Sequence, residues 1–166
     1  LPMVKIEPMV RAALLEDLGR AGDITSDAII PAGLMATVAM VSRQDGVVAG
    51  LDFAACAFRL IDPAIDLDIA RPDGSVLTPG TVIATIAGPD RAILTAERTA
   101  LNFVQRLSGV ATLAKRYADA VAGTKTKVVD TRKTTPGFRV LEKAAVLAGG
   151  CGNHRFDLGS GILIKD

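Results

Sequence analysis

Two hydrophobic patterns follow one another along the 166 residues of this chain, and the change between them restricts the folds open to it. Up to about Leu107, short alternating apolar runs are punctuated by Asp45-Gly46, Asp73-Gly74 and Pro79-Gly80, turn pairs that commonly join antiparallel strands. Beyond that point one short β run, Lys127–Asp130, is followed by a helical stretch, Leu141–Ala148, and by a second apolar run, Ile162–Ile164. Strand, helix, strand is the unit of a parallel sheet or barrel, because parallel strands need a crossover long enough to hold a helix. The sequence therefore predicts an α+β sandwich domain over 1–108 and the beginning of an incomplete α/β (TIM-like) barrel over 109–166.

Within the first part, Pro8 suits the first position of a helix, and Val10, Leu14 and Leu18 recur at helical spacing until Gly19 ends the run. Gly22–Ser26 reads as a polar loop. Ala36–Ser42 alternates as a strand, Asp45-Gly46 turns, and Val47-Val48 resumes the sheet. Phe53, Cys56, Ala57 and Leu60 form a helical stripe closed by Pro63, and Ile65–Ile69 and Val82–Ile86 read as strands. Arg91 to about Leu107 is helical. Gly109 is expected to interrupt it before a further helix reaches about Val121.

A hydrophobic fraction of 49% with only 4% aromatic residues predicts a core of Ala, Val, Ile and Leu, which suits α/β layers. Net charge of +1 argues against a surface tuned as a whole to nucleic acid, so any cationic site must be local. Cys56 and Cys151 form neither a paired framework nor a metal spacing, which fits a reducing compartment. The apolar run around Phe53 is broken by Asp52 and Arg59, too short to span a membrane, and no signal pattern opens the chain. A cytoplasmic protein with no membrane partner is the resulting expectation. The apolar run ending at Lys165-Asp166 reads as a strand interrupted in mid-fold, so the chain is expected to be the N-terminal portion of a longer protein. Residues after about Gly123 are then expected to need further chain to cover them.

The chemistry concentrates in Val129–Arg139, where two adjacent cations follow a strand, then two hydroxyls, then a Pro-Gly turn. Ligands of parallel α/β folds bind at the carboxyl ends of the strands, where loops vary freely. Arg132 and Lys133 stand at one such end and Lys165 at the next. Between them Gly149–Arg155 delivers His154, the one histidine of the chain, beside Arg155. Strong cations converging on one rim suit an anion with more than one charged group: arginine pairs bidentately with carboxylate or phosphate, and lysine acts as a mobile point charge. Taken singly these residues have plainer readings. A strand-end lysine is ordinarily solvated, a lone histidine structural, Gly149 a helix C-cap, and Arg98 a surface residue paired with an acid such as Glu97.

The order of these blocks resembles a known family. Ala96–Asn102, Leu107–Thr112, Asp130–Gly137, Leu141–Lys143, Asn153–Arg155 and Leu163–Asp166, with Glu16–Gly19 and Gly22–Ser26 at the start, are similar to quinolinate phosphoribosyltransferases. The resemblance covers essentially the whole chain, and the Arg-Lys-Thr-Thr-Pro-Gly block is its most specific part. It implies the two-domain architecture above and an enzyme of de novo NAD biosynthesis. Phosphoribosyl would pass from phosphoribosyl pyrophosphate to quinolinate with decarboxylation, giving nicotinate mononucleotide, pyrophosphate and CO2. It implies that Arg132, His154 and Arg155 hold the quinolinate carboxylates. Lys133 and Lys165, between the two substrates, are the implied catalytic residues. Arg98 is implied to reach the active site of a neighbouring subunit, making the enzyme a homodimer. Mg2+ is implied with phosphoribosyl pyrophosphate, its acidic partners lying beyond residue 166, so the 166 residues alone are expected to be inactive.

Some positions depart from the pattern. Cys151 stands where a third glycine is usual, and its Cβ would hinder a positive-φ backbone. Ala144 replaces a common tyrosine, and Asp157–Gly161 departs from the usual spacing. Two other identities compete. Molybdenum-transport-linked paralogues share much of the pattern but tend to lack the Ile-Lys-Asp ending, so Lys165 favours the quinolinate enzyme. A lipoyl- or biotinyl-like carrier module would need a lysine at a hairpin tip, where Gln44-Asp45-Gly46 offers none.

Overall fold

The computed structural model describes residues 1–164 and contains five helices and five strands. In chain order these are α1 (Met3–Leu18), α2 (Ile24–Ile29), β1 (Met35–Val41), β2 (Gly46–Val47), α3 (Leu51–Ile61), β3 (Asp66–Ile69), β4 (Val76–Leu77), β5 (Val82–Pro89), α4 (Asp90–Ala120) and α5 (Arg139–Ala148). An antiparallel sheet has the order β1-β5-β3, and β2 pairs with β4 in a separate antiparallel pair. β5 is central, which is why it is the most continuously apolar strand. Its inner residues Ala84 and Ile86 pair with Met40 and Val38 of β1.

α4 is the spine of the fold. Ile93, Ala96, Ala100, Phe103, Leu107, Ala111 and Ala114 recur at helical spacing along its buried face. Phe103 stacks on Phe53 of α3 with ring centroids 5.3 Å apart. α1 adds Ile6, Val10 and Leu14 to the same core. α5 adds Leu141 and Ala145, both almost fully buried, so α4 covers this part of the segment after Gly123, while Leu147, Leu158 and Ile162 stay exposed.

Several local expectations are corrected. α1 starts at Met3, with Pro8 inside it, because burying Ile6 extends the helix upstream of the proline. The supposed polar loop holds α2, whose N-cap Asp23 accepts from the Ser26 amide at 2.9 Å. Asp45-Gly46 does not close a hairpin, since Val47 pairs with Val76 of β4. There Ser108 and Thr112 of α4 accept the Ala49 and Val47 amides at 3.0 and 2.9 Å. α4 runs unbroken through Gly109, because burial of Leu107 and Ala111 on either side outweighs the roughly 1 kcal/mol helix penalty of glycine.

The parallel β unit is also smaller than predicted. Lys127–Asp130 forms one parallel bridge, Val129 to Gly152, supported by Asp130 N–H to Gly152 O at 3.1 Å and Gly152 N–H to Val128 O at 2.9 Å. Ile162–Ile164 makes no ladder among the described residues, and Ile162 is 95% exposed. Lys165 lies outside the described residues.

Candidate functional site

Val128–Asp130 ends beside Gly152, and this junction brings together the two segments that carry the predicted cations. At its centre Lys143 of α5 makes a buried ion pair with Asp130, Nζ to Oδ1 2.5 Å, with side chains 3% and 9% exposed respectively. The same Asp130 oxygen accepts the His154 amide at 2.8 Å, and Lys143 also donates to the His154 carbonyl at 3.0 Å. Oriented as its neighbours require, the Asn153 amide nitrogen donates to Asp130 Oδ2 at 2.8 Å and to the Lys143 carbonyl at 3.0 Å. Further out, Arg139 donates to Thr134 Oγ1 at 3.2 Å and to the Phe156 carbonyl at 3.3 Å. Strand end, hydroxyl turn and histidine loop are thereby cross-linked.

A second network fixes the turn after Lys133. Glu142 accepts the Thr135 hydroxyl at 2.7 Å, the Thr135 amide at 3.2 Å and Arg106 of α4 at 3.0 Å. Burial pushes the Glu142 carboxyl up, but the Thr135 and Arg106 hydrogen bonds outweigh it and hold it below the usual glutamate range. Arg106 and Thr135 separate two clefts. One of about 340 Å³ is lined by Asp130, Thr131, Lys133, Thr134, Glu142 and Lys143 among others. The other, of about 610 Å³, lies between Glu16 and Asp17 of α1, Asn102 and Phe103 of α4, and Phe138.

The predicted site residues take distinct places. Lys133 is exposed and lines the smaller cleft, its amide bound to Thr131 Oγ1 at 3.0 Å. Arg132 is half-buried, and its Nε is buried with no hydrogen-bond partner among the described residues. It also helps, after the Ser160 hydrogen bond, to hold the Asp157 carboxyl low. His154 has an exposed side chain on a backbone gripped by Asp130 and Lys143. Arg155 is half-buried and donates to the Gly161 carbonyl at 2.8 Å. Arg98 is exposed on α4, eight residues before Arg106 and so about 12 Å along the axis from it. It makes no ion pair with Glu97 among the described residues.

Asp130, Lys143, Asn153, Arg106 and Glu142 were not read from the sequence as functional, although they hold the residues that were. Cys151 needs no left-handed backbone: the positive φ belongs to Gly150, and the Cys151 thiol donates to the Ala114 carbonyl at 3.2 Å. Gly149 is indeed the C-cap of α5, but its φ of −78° is right-handed; glycine is needed there for space against α4.

Comparison with known proteins agrees along the whole length. Residues 23–108 match the family model of the quinolinate phosphoribosyl transferase N-terminal domain, and residues 110–166 match that of its C-terminal domain. The chain belongs to the quinolinate phosphoribosyl transferase family. It is 43% identical over 167 aligned positions to a probable carboxylating nicotinate-nucleotide pyrophosphorylase of Synechocystis, covering 99% of this chain and 55% of the relative. It is 46% identical over 162 positions to the carboxylating enzyme of Mycobacterium leprae, covering 95% of this chain and 56% of that one. Among solved structures, NadC from Streptococcus pyogenes superposes with a TM-score of 0.92 at 40% identity, covering 96% of this chain and 56% of that one. The chain thus spans little more than half the length of the family members it matches.

Proposed function

We propose that the protein carrying this chain transfers phosphoribosyl from phosphoribosyl pyrophosphate to quinolinate, releasing pyrophosphate and CO2 and leaving nicotinate mononucleotide. The observation that carries this reading is the buried, unpartnered Arg132 Nε at a rim that also presents Lys133, His154 and Arg155. A buried donor left unpaired costs about 1–3 kcal/mol, so such a rim is suited to an anion that completes it. The names borne by the relatives point to the same chemistry, and supply nothing for a molybdenum-linked paralogue or a carrier module.

On this reading Arg132, His154 and Arg155 hold the two carboxylates of quinolinate, while Lys133 and Lys165 lie between it and the second substrate. Held in place, the pyridine nitrogen attacks the ribose anomeric carbon as pyrophosphate departs, through an oxocarbenium-like centre. The 2-carboxylate then leaves as CO2, its electron pair staying on C2 as an ylid stabilised by the adjacent pyridinium nitrogen until a proton from solvent forms the C2–H bond. Fixed cations orient the diacid without transferring a proton themselves. Arg98, distant from Arg106 on its own helix, is assigned to the active site of a second copy, in a homodimer whose barrel begins at about residue 109.

Magnesium is expected to accompany the pyrophosphate group, but the residues described do not fit it. Asp130 and Glu142 are each committed to cationic and amide donors, and no three His, Cys, Asp or Glu converge as a metal site among the described residues. No step here is routed through it.

The test is nicotinate mononucleotide formation by the protein that includes this chain and the further length its relatives have. Wild type is expected to turn over, and Arg132→Ala to lose roughly two to three orders of magnitude in kcat/KM, the effect of breaking a buried charge pair. Full activity in Arg132→Ala contradicts the assignment.

A further inference from the structure

Lys143 is 2% exposed, on the face of α5 opposite the core residues Leu141 and Ala145, where it meets Asp130 and the His154 loop. Its partner Asp130 is nearly as buried, and a buried ion pair is commonly no more stabilising than an apolar pair of similar volume. What this pair does that an apolar one cannot is hold the His154 peptide from both sides, amide on Asp130 and carbonyl on Lys143, with Asn153 closing the ring. Asp130 lies two residues before Arg132. The pair therefore connects the Arg132-Lys133 cations to the His154-Arg155 cations through two charged hydrogen bonds. Like charges carried on two joined segments repel in the absence of ligand, so the spacing of the segments depends on a stiff frame beneath them.

We propose that Asp130 and Lys143 are positioning residues that fix the separation of the two cationic segments, and with it the spacing of the carboxylates the site accepts. Both line the smaller cleft, but in this role they act through the His154 backbone that they hold. The inference rests on the function proposed above, and it names adjacent carboxylates on one ring as the recognised class.

The experiment compares quinolinate with dipicolinate, an isomer whose carboxylates flank the ring nitrogen, in wild type, Lys143→Met and the neutral double variant Asp130→Asn/Lys143→Met. Quinolinate is measured by KM and dipicolinate by its inhibition constant. In both variants quinolinate should weaken roughly tenfold or more, as when a supporting hydrogen-bonded shell is removed. Dipicolinate and the KM for phosphoribosyl pyrophosphate should stay where they were. The double variant leaves no charge buried alone, so it should recover thermal stability without recovering quinolinate selectivity. If both dicarboxylates weaken together, or if the double variant recovers selectivity along with stability, the pair only supports folding and the proposal is overturned. Wild type that fails to turn over quinolinate contradicts the proposed function itself, an outcome visible before any variant is compared.

Discussion

Arg106, in the middle of α4, reaches Glu142 on the first turn of α5 at 3.0 Å, and both bond the hydroxyl of Thr135 between them. The turn that follows Arg132 and Lys133 is thus tied to the spine of the fold rather than left to solvent. Because Arg106 is 56% exposed, the link contributes modestly, about 0.5–1 kcal/mol.

That link is expected to be pH-dependent. The folded-state Glu142 carboxyl lies below its usual range, first raised by burial and then lowered further by Thr135 and Arg106. For a depressed acid the contribution is complete above the unfolded value of about 4.3 and is lost as pH falls through the folded value. Thermal unfolding of wild type and Glu142→Gln should therefore differ near neutrality and converge only as pH falls below the usual glutamate range, through the depressed folded value. A difference that persists unchanged through that acid range contradicts the pairing.

Two glycines, one inside α4 and one at the end of α5 packed against it, should respond to alanine in opposite directions. A Cβ on Gly149 would sit 2.3 Å from the Ala111 carbonyl oxygen and 2.6 Å from the Ala114 Cβ, so α5 must shift away. Gly149→Ala is expected to cost about 2–3 kcal/mol, the upper range for overpacking. Gly109, inside α4, has open space around its missing Cβ, so Gly109→Ala should gain about 0.5–1 kcal/mol in denaturant unfolding.

These positions show where the sequence was legible. Strands β1, β3 and β5 declared themselves because apolar residues alternate along them, although only β5 buries most of its length. The partner of β2 did not, since the Asp45-Gly46 turn is local information while the Val47 amide is satisfied by Thr112, 65 residues away. Gly109 looked like a helix break because its neighbours' burial depends on packing. At the site, the cations were legible from a motif of adjacent charges. Lys143 was not: beside Glu142 on a helix it resembles a surface lysine, and only Asp130 and His154, 13 and 11 residues distant, explain its burial.

Arg98 is expected to work in trans. It sits on the exposed side of α4, well removed from Arg106, whereas the other cations surround the α5 loops. Mixing an Arg98→Ala subunit with an Arg132→Ala subunit should then restore activity, because in half of the mixed sites both substitutions are absent. If subunits exchange and activity never returns, Arg98 acts within its own chain.

The most direct measurement of the central claim is turnover of quinolinate against nicotinate by the wild-type protein under identical conditions. If Arg132, Lys133, His154 and Arg155 hold two carboxylates as proposed, a missing one leaves cations unpaired, a loss of about 2–5 kcal/mol. The expected result is a kcat/KM for quinolinate at least about thirtyfold higher than for nicotinate. Comparable turnover of the two acids would contradict the diacid cradle and every role assigned to these residues.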